Sequence, residues 1–514
     1  MSLSIFLLWL LNIPLLTHSL AVPDVRGYLI NCGGGESELD MGSLKYITDE
    51  GFTSAGNRSS VNHPNLLPIL STLRYFPDAS ARKYCYVIPV IKGGKYLVRT
   101  VYYYGGFDGG KEPPVFDQIV DGTKWSTVNT TEDYASGLSS YYELVVVAMW
   151  KMLSVCLARN ERTVSSPFIS ALEVVFLEDS MYNTTNFGMY ALSTVARSNF
   201  GSDGDLICYP DDQFNRLWQP FKDHNPAVTS HSSVTSSDFW NLPPAKSFEN
   251  AITASRGKEL RMRWPPGNLP ETSYYISLYF QDNRTPSPQS WRVFTVSLNG
   301  KNFYTDLNAT TSGVTVYAAR WPLSGQTEIV LTPADGMPVG PLINAGEIYQ
   351  ILPLGGRTLA RDALAMDELA RNLNNPPSDW SGDPCLPKEN SWTGVTCSSG
   401  KFSRIVTIDL SNVGISGSIS SSIAKLTALT HLWLGGNRLS GTIPDMSSLK
   451  TLRTLHLENN KFEGQIPESL AQLAKLHEIF LQYNNLYGEI PPALLRRKDM
   501  FIQVFPGNNV KKPA

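Results

Sequence analysis

One arrangement of apolar positions recurs four times in the carboxyl-terminal part of the chain. The copies begin at Ile405, Leu429, Leu452 and Leu476, which places them 24, 23 and 24 residues apart. Three copies follow the pattern L-x-x-L/I-x-L-x-x-N-x-L/F and end in G-x-I-P. No single copy can bury its own leucines, so the pattern predicts coils that stack on one another around a continuous core.

Each copy predicts a short strand followed by a sharp bend, which is typical of a leucine-rich-repeat solenoid. Alternating leucines in the strand point inward. Asn437, Asn460 and Asn484 recur at the bend, where a buried amide can satisfy unpaired backbone groups. Val413 takes this place in the first copy, as a terminal capping repeat allows.

The residues between the inward leucines form the candidate binding face, because a solenoid exposes them on its concave side. One column reads Asp409, Trp433, His456 and Phe480, and neighbouring columns add His431, Glu458, Glu478 and Gln482. Exposed rings with a polar rim are typical of a surface that binds a peptide or protein. The alternative is a set of ordinary solvated strand residues. The two histidines could titrate near extracellular pH, or could simply be surface residues.

Residues 25 to 354 carry the signals of β structure. Runs such as Tyr96 to Tyr104 and Tyr274 to Phe280 are rich in Tyr, Val and Ile, with Gly and Pro clusters between them. Turn signals over so long a stretch favour two β-sandwiches over one. A weak internal repeat of this pattern places the junction near Ser198 to Gly204. After it, Leu359 to Leu373 has the spacing of an amphipathic helix that would dock on the first repeat.

These patterns predict a mainly β chain with two tandem sandwiches followed by a short α/β solenoid. The predicted segments are a leader over 1–21, a first sandwich over 22–200, a second sandwich over 201–355, a helical, disulfide-capped linker over 356–404, four repeats over 405–493 and a basic tail over 494–514. The tail is expected to be solvated and partly disordered.

Charge balance and the amino-terminal segment indicate the class of partner and the cellular compartment. The 514 residues include 43 Lys and Arg against 46 Asp and Glu, and this balance lacks the basic footprint of a nucleic-acid-binding protein. An apolar stretch from Ile5 to Leu16, followed by Ser19 and Ala21, predicts a secretory signal peptide. No later segment offers about 20 apolar residues, so a soluble product is expected.

Cysteine chemistry agrees with secretion, since six cysteines suit an oxidising compartment. Cys385 and Cys397 flank Trp392 just ahead of the first repeat and are predicted to form a disulfide that seals the open end of the solenoid. The other four, Cys32, Cys85, Cys156 and Cys208, leave three pairings open. Neither metal-ligand spacings nor a serine nucleophile motif occurs, and no metal, cofactor or catalytic residue is expected.

Five N-x-S/T sequons mark candidate glycosylation sites, at Asn57, Asn129, Asn183, Asn283 and Asn308. All of them precede the repeats, which would leave the solenoid free of N-glycans.

Six segments in order resemble the tandem malectin-like region of plant receptor-like proteins. They are YLINCGG at Tyr28, LRYFPDASARKYCY at Leu73, FDQIVDGTKW at Phe116, SALEVVFLED at Ser170, YPDDQFNRLW at Tyr209 and PLINAGEIYQI at Pro341. SGDPCLPKENSWTGVTC, from Ser381 to Cys397, resembles the Gly-Asp-Pro-Cys segment that joins such a region to leucine-rich repeats in the symbiosis-receptor-like class. Kinases of that class continue into a transmembrane helix and a kinase domain, whereas no kinase motif occurs here, so the chain resembles the kinase-less members.

The resemblance implies a possible glycan site, since malectin binds a glucose disaccharide through aromatic residues and an aspartate. Sugar binding needs an aromatic platform with a few polar groups. The candidates are Tyr102, Tyr103, Tyr104, Phe107, Asp108 and Asp117. The alternative is that the tyrosines are ordinary core. Asp211, Asp212, Arg216 and Trp218 are interpreted as a structural corner between the sandwiches or, alternatively, as a binding site.

We therefore expect a secreted, non-enzymatic recognition protein of the plant cell surface or wall, located in the apoplast or associated with a membrane through a partner. Its expected partners are a receptor-like kinase ectodomain or a secreted peptide, bound by the repeats, and a cell-wall glycan, bound by the sandwiches. A lectin-like wall protein is the alternative. A glycoside hydrolase would need two carboxylates facing each other across a cleft.

Overall fold

The structure is a computed structural model that describes residues 25–35, 38–110, 112–229, 235–282, 284, 292–400 and 402–512. The predicted leader over 1–21 and the sequon at Asn283 lie outside these residues. Within them, the predicted mainly β fold class is confirmed. No helix in this part of the chain combines the length and apolarity needed to cross a membrane.

The amino-terminal region consists almost entirely of strands. They are β1 (Gly27–Asn31), β2 (Leu39–Met41), β3 (Leu44–Thr48), β4 (Asn57–Ser60), β5 (Thr72–Tyr75), β6 (Tyr84–Pro89), β7 (Lys95–Tyr102), β8 (Val115–Val120), β9 (Thr123–Asn129), β10 (Ser140–Val147), β11 (Met152–Ala158), β12 (Phe168–Ile169), β13 (Ala171–Leu177), β14 (Tyr190–Phe200), β15 (Gln219–Phe221), β16 (Ala227–Thr229), β17 (Asn250–Thr253), β18 (Leu260–Arg263), β19 (Leu269–Phe280), β20 (Val293–Leu298), β21 (Lys301–Asn308), β22 (Val314–Gly325), β23 (Glu328–Pro333), β24 (Leu342–Ile343) and β25 (Ala345–Pro353). A short helix, α1 (Thr131–Ala135), and 3-10 turns at Pro68–Leu70, Ser236–Asp238 and Ala245–Phe248 connect them.

One sheet of 11 strands runs through both halves of this region. Its order is β2-β3-β1-β13-β7-β10-β14-β25-β19-β22, with β15 attached to β14. Strand β14 pairs with β10 of the first half and with β25 of the second. The predicted junction near Ser198 to Gly204 therefore falls at the end of a shared strand. The two halves thus have one sheet in common, and their description as two tandem sandwiches stays a prediction.

Each half nevertheless has its own core. The sheet β6-β11-β8-β9 packs on the long sheet in the first half, burying side chains such as Tyr86 and Leu153. The sheet β18-β23-β20-β21 does the same in the second half, with Met262 and Phe294 buried. In β18 and β20 buried residues alternate with more exposed ones, so these strands cover the core with one face.

A buried ionic network crosses the middle of the long sheet. Arg99 on β7 and Arg197 on β14 both contact Glu143 on β10, at 2.6 and 2.7 Å, and Arg197 also contacts Glu347 on β25 at 2.8 Å. Burial alone would raise the pKa of Glu143, but the two guanidinium groups lower it to about 2. Shared charges thus join strands of both halves.

The segment at Tyr209 covers this network. Arg216 is fully buried and contacts Asp212 at 2.9 Å, and the indole nitrogen of Trp218 donates to the same carboxylate. Asp211 instead forms an exposed pair with Lys246 at 2.8 Å. The interpretation of this segment as a structural corner fits the burial of its side chains.

The linker begins with β26 (Arg357–Thr358) and α2 (Ala360–Asn372), where the sequence predicted a helix. Ala365, Met366 and Leu369 bury the apolar face of α2 against the solenoid. Asp362 near its start contacts Arg404 at 2.8 Å and accepts from the Ile405 amide at 3.2 Å. The helix therefore covers the first repeat, as its spacing predicted.

The repeats form two ladders of short strands. The remaining elements are β27 (Leu373–Asn374), β28 (Val395–Cys397), β29 (Phe402–Ser403), β30 (Ile405–Asp409), β31 (Ser416–Gly417), β32 (His431–Trp433), β33 (Arg438–Thr442), β34 (Thr454–His456), β35 (Lys461–Gly464), β36 (Glu478–Phe480), β37 (Asn485–Glu489), β38 (Phe501–Gln503), β39 (Asn509–Lys511), α3 (Pro492–Leu495) and 3-10 turns at Lys388–Asn390, Ser421–Lys425 and Glu468–Gln472. One sheet has the order β28-β30-β32-β34-β36-β38 and the other β27-β31-β33-β35-β37-β39. The expected helical side of the solenoid consists mainly of these 3-10 turns.

A fifth coil corrects the expectation of a disordered tail over 494–514. Strands β38 and β39 extend both ladders by pairing with β36 and β37. Asn508 repeats the role of the earlier asparagines, since its amide donates to the carbonyls of Leu481 and Val504 and accepts from the Leu486 amide. Buried Val504 and Val510 close the end of the core.

Candidate functional site

The concave sheet of the solenoid aligns the residues that the sequence selected. The register places Thr407, His431, Thr454, Glu478 and Phe501 in one column and Asp409, Trp433, His456, Phe480 and Gln503 in the next. Backbone hydrogen bonds carry the same order to Ser411, Gly435, Glu458 and Gln482. All eight residues predicted for protein binding therefore lie on one face.

A continuous row of rings runs along this face. Neighbouring ring centroids are 5.3 Å apart from His431 to Trp433, 5.6 Å from Trp433 to His456, 4.5 Å from His456 to Phe480 and 5.7 Å from Phe480 to Phe501. Trp433, His456 and Phe480 are half-buried, which leaves one side of each ring open. Such a row offers a large contact area at little conformational cost.

The row is held by hydrogen bonds from the neighbouring column. The indole nitrogen of Trp433 donates to the Thr454 hydroxyl at 2.7 Å, and that hydroxyl lies 2.8 Å from Nδ1 of His431. Burial, with smaller contributions from Arg453 and two other histidines, lowers the pKa of His431 below its ordinary value. The neutral His431 ring can then accept a hydrogen bond from the Thr454 hydroxyl, so Trp433, Thr454 and His431 form one chain of hydrogen bonds.

The next coil carries an ionisable pair on the same face. Nε2 of His456 lies 2.6 Å from a carboxylate oxygen of Glu478, and both side chains keep partial exposure, 19% and 33%. This contact orients His456 between the rings of Trp433 and Phe480. Asp409 is exposed at the edge and accepts a hydrogen bond from the Ser411 amide at 3.1 Å.

Sequence reasoning missed the contribution of the fifth coil. Phe501 is 60% exposed and extends the ring row, while Phe505 is 43% exposed just beyond it. The signal was present as Ile502, Val504, Asn508 and Val510, but the spacing from Val504 to the asparagine is one residue longer than in the other copies. A search that allows one inserted residue would have found it.

The residues predicted for glycan binding do not form an accessible platform. Tyr102, Tyr103 and Tyr104 are only 1%, 6% and 2% exposed, so their prediction as a sugar-binding surface is wrong. They pack among Phe116, Phe168 and neighbouring rings of the first core. Tyr102 ends β7, and Tyr103 and Tyr104 follow the strand with their rings buried in the same core.

The polar members of that set have structural partners. Asp108 accepts a hydrogen bond from the Tyr104 hydroxyl, and Phe107 packs against Tyr75 and Phe168. Asp117 is buried and contacts Lys124 and the hydroxyl of Thr127. These contacts use the groups that a sugar would need.

A separate cleft of about 990 Å³ lies where the first half meets the linker. Its walls include Trp150 and Met152 of the first half and Leu364 of α2, which are 37%, 43% and 62% exposed. Asp121 lines it and accepts a hydrogen bond from the Ser154 amide at 2.8 Å. No sequence signal pointed to this cleft, because it is formed by segments more than 200 residues apart.

The residues that the structure describes contain two disulfides, one of which was predicted and one of which belongs to the four cysteines whose pairing was open. Cys385 and Cys397 are bonded, which confirms that pairing. Among the four remaining cysteines only Cys85 and Cys156 are bonded, across the adjacent strands β6 and β11. Cys32 and Cys208 are unpaired thiols, so only one of the two bridges that each open pairing would contain is formed. Burial raises the pKa of the Cys32 thiol far above its ordinary value.

Asn57, Asn129, Asn183 and Asn308 are all exposed, as attachment of a glycan requires, and their glycosylation stays a prediction. In the described part of the chain, no group of three or more His, Cys, Asp or Glu side chains is arranged to hold a metal ion.

Comparison with protein families gives three matches along the chain. Residues 30–351 match the malectin-like domain, residues 359–398 the leucine-rich repeat N-terminal domain, and residues 428–448 and 451–473 the leucine-rich repeat. A probable LRR receptor-like serine/threonine-protein kinase of Arabidopsis thaliana is 31% identical over 464 residues, which cover 82% of this chain and 47% of the kinase. A second receptor-like protein kinase of that plant is 28% identical and covers 81% and 47%. The chain thus spans about half the length of the curated relatives it matches.

Solved structures share the fold of the amino-terminal region. The ANXUR1 extracellular domain from Arabidopsis thaliana superposes with a TM-score of 0.53 at 16% identity, over 63% of this chain and 97% of that one. The plant receptor-like kinase FER gives 0.51 at 18% identity, over 63% and 96%. A complex of the plant peptide RALF23 with FER and LLG2 also matches, with a TM-score of 0.51 at 17% identity over 64% and 96%.

Proposed function

This chain belongs to the malectin-like domain family, and on that premise we propose that it is a non-catalytic extracellular recognition protein whose repeats bind a peptide or a receptor ectodomain. The bound partner would lie on the concave face of the solenoid. Transduction would then belong to a membrane partner or to sequence beyond these domains. The apoplast or the cell wall is the proposed location.

The ring row from His431 to Phe501 is the observation that carries this proposal. Five rings in contact across four of the six strands of the concave sheet leave a strip of open aromatic surface. Exposed Trp and Phe are uncommon on a surface that meets only water. Buried by a partner, they would be the centre of an interface with the polar columns as its rim.

Two further facts support recognition of a protein or peptide. The relatives are named as receptor-like kinases, and this chain covers about half of their length. FER, which shares the fold of the amino-terminal region, occurs in a complex with the peptide RALF23 and LLG2. We do not extend the proposal to glycans at Tyr102, Tyr103 and Tyr104, since those rings are inaccessible.

The test replaces Trp433 and Phe480 with Ala. Each ring is expected to contribute at least 2 kcal/mol, so capture of extracellular peptides and receptor ectodomains by the full chain should fall about 30-fold per substitution. Tyr487→Ala is the matched control, because Tyr487 is 52% exposed on the other sheet of the same solenoid. Capture that survives the double substitution with the fold intact contradicts the proposal.

A further inference from the structure

We propose that the concave face contains a subsite for a cationic side chain, an Arg or Lys of the bound peptide, at Glu458. This inference rests on the proposed function, because it names the ligand chemistry that the same face selects. It follows from an unpaired carboxylate, a glycine that makes room for it, and the absence of basic residues around it.

Glu458 has no internal counter-ion. No ion pair or hydrogen bond of the described residues involves its carboxylate, and one oxygen, Oε2, is buried without a partner. The neighbouring Glu478 differs, because it contacts His456 at 2.6 Å. Leaving a carboxylate oxygen dry and unpaired costs about 1 to 3 kcal/mol, which a donor from a ligand would offset.

Gln482 adds a second acceptor one coil further along the same column. Its Oε1 atom is also buried without a hydrogen-bond partner. Both oxygens therefore lack a donor. A guanidinium or ammonium group supplies several donors together with the positive charge that the carboxylate lacks.

Gly435 explains why Glu458 adopts this position. The carboxylate lies across Gly435, and a Cβ atom placed on that glycine would come within 2.2 Å of Oε1 of Glu458. Gly435 lacks the positive φ of its neighbour Gly436, so an alanine is compatible with the backbone and would only displace the end of the Glu458 side chain. The glycine thus serves the placement of the charge.

The concave face around Glu458 carries carboxylates and lacks Lys and Arg in its three columns. The three columns described above contain three carboxylates, Asp409, Glu458 and Glu478, and neither Lys nor Arg. Arg453 lies one residue before β34 and is exposed. The excess of carboxylates over guanidinium and ammonium groups in these columns favours a cation and disfavours an acidic partner.

The ring row strengthens the same preference. Trp433 and Phe480 border the column that holds Glu458, and their open faces carry the negative side of the ring quadrupole. A cation between a ring face and a carboxylate gains from both. Arg fits better than Lys, because its planar group can stack on a ring while it donates sideways to Glu458.

The test uses short synthetic peptides of extended sequence that differ only in one Arg or citrulline, which has the same shape without the charge. Fluorescence polarisation with the full chain should show at least 10-fold tighter binding of the Arg peptides, falling as salt is raised. Glu458→Gln and Gly435→Ala should abolish this preference. Glu463→Gln is the control, because Glu463 is exposed on the opposite sheet.

The outcomes separate the two proposals. Equal binding of Arg and citrulline peptides, with loss of both in Trp433→Ala, overturns the cationic subsite and leaves the proposed function standing. Binding that ignores Trp433→Ala and Phe480→Ala overturns both. No Arg-dependent binding up to about 1 mM peptide also overturns the subsite.

Discussion

Asp121 is a single residue that lowers the stability of the folded protein when it is ionised. It has a positive φ of 45° and accepts hydrogen bonds from the amide and hydroxyl of Ser154. Burial, and to a lesser extent the nearby carboxylate of Asp383, raises its pKa to about 6 despite those bonds. Below pH 4 the folded and unfolded chains both hold the proton, whereas above pH 6 the folded chain carries an unfavourable buried charge.

Asp121→Asn should therefore stabilise the protein in a pH-dependent manner. Asn keeps the acceptor for Ser154 and tolerates the positive φ, but it cannot ionise. The stability gain over the unchanged chain should be near zero at pH 4 and grow to about 2 kcal/mol at pH 7, as measured by chemical denaturation. Asp306→Asn is the control, since Asp306 shares the positive φ but is exposed. A gain that is equal at both pH values would contradict this account.

The residues that sequence reasoning placed wrongly share one cause. Tyr102 ends strand β7 and Tyr103 and Tyr104 follow it, so alternation along the strand cannot decide which way the last two rings point. The rings that cover Tyr102 and Tyr104, such as Phe168, lie far away in the sequence. Whether Cys32 and Cys208 form a disulfide likewise depends on how residues far apart in the sequence are placed in the fold. By contrast, Trp433, His456 and Phe480 repeat at the period of the coil, and their common face could be predicted from the sequence alone.

At the scale of elements, each coil of the solenoid supplies hydrogen bonds to backbone groups of the coil before it. Asn484 donates to Leu457 of the preceding coil and Leu481 of its own, and Asn508 donates to Leu481 and Val504 in the same way. The final coil thus saturates the exposed end of the stack. Without it, the backbone of the fourth coil would lose several partners at once.

Asn508→Ala should destabilise the solenoid by about 1 to 3 kcal/mol, because it leaves buried backbone groups unpaired. Thermal or urea unfolding of the full chain measures the effect. Asn509→Ala is a matched control, since this neighbouring asparagine is exposed. If the two substitutions have equal and negligible effects, residues 501–511 do not form a working coil.

The elements that could be predicted are those that local patterns determine. Four coils, the helix α2 and the bridge between Cys385 and Cys397 follow from periodicity and spacing within about 25 residues. The pairing of β14 with β25 joins residues about 150 positions apart, and no local signal specifies it. The fifth coil stayed hidden because a single inserted residue, at Gly507, shifts its period.

At the scale of the whole molecule, the Gly-Asp-Pro-Cys segment fixes the repeats to the first half. Gly382 lies against the disulfide between Cys85 and Cys156 of the first half, and a Cβ atom added to it would be 3.0 Å from the sulfur of Cys85. Asp383 accepts from the amides of Cys385 and Leu386. Lys83, fully buried, donates to the carbonyls of Asp383 and Leu386.

Gly382→Val should loosen this joint. The side chain would collide with the disulfide and would also require an unfavourable positive φ of 70°, at a cost of about 2 to 3 kcal/mol. Small-angle scattering should then report a larger radius of gyration, with secondary structure unchanged. Gly336→Val is the control, because Gly336 has a similar φ of 75° but open space around it. An unchanged radius in Gly382→Val would show that the segment does not hold the joint.

The shared strand β14 also determines how the amino-terminal region can be dissected. A cut at residue 200 would remove β14 from β25, which would keep only β19 as a partner, and would leave each fragment with a strand edge of unpaired amides and carbonyls. It would also separate Arg197 from Glu347, which contact each other at 2.8 Å. Residues 27–353 should therefore be expressed in one piece rather than as two fragments.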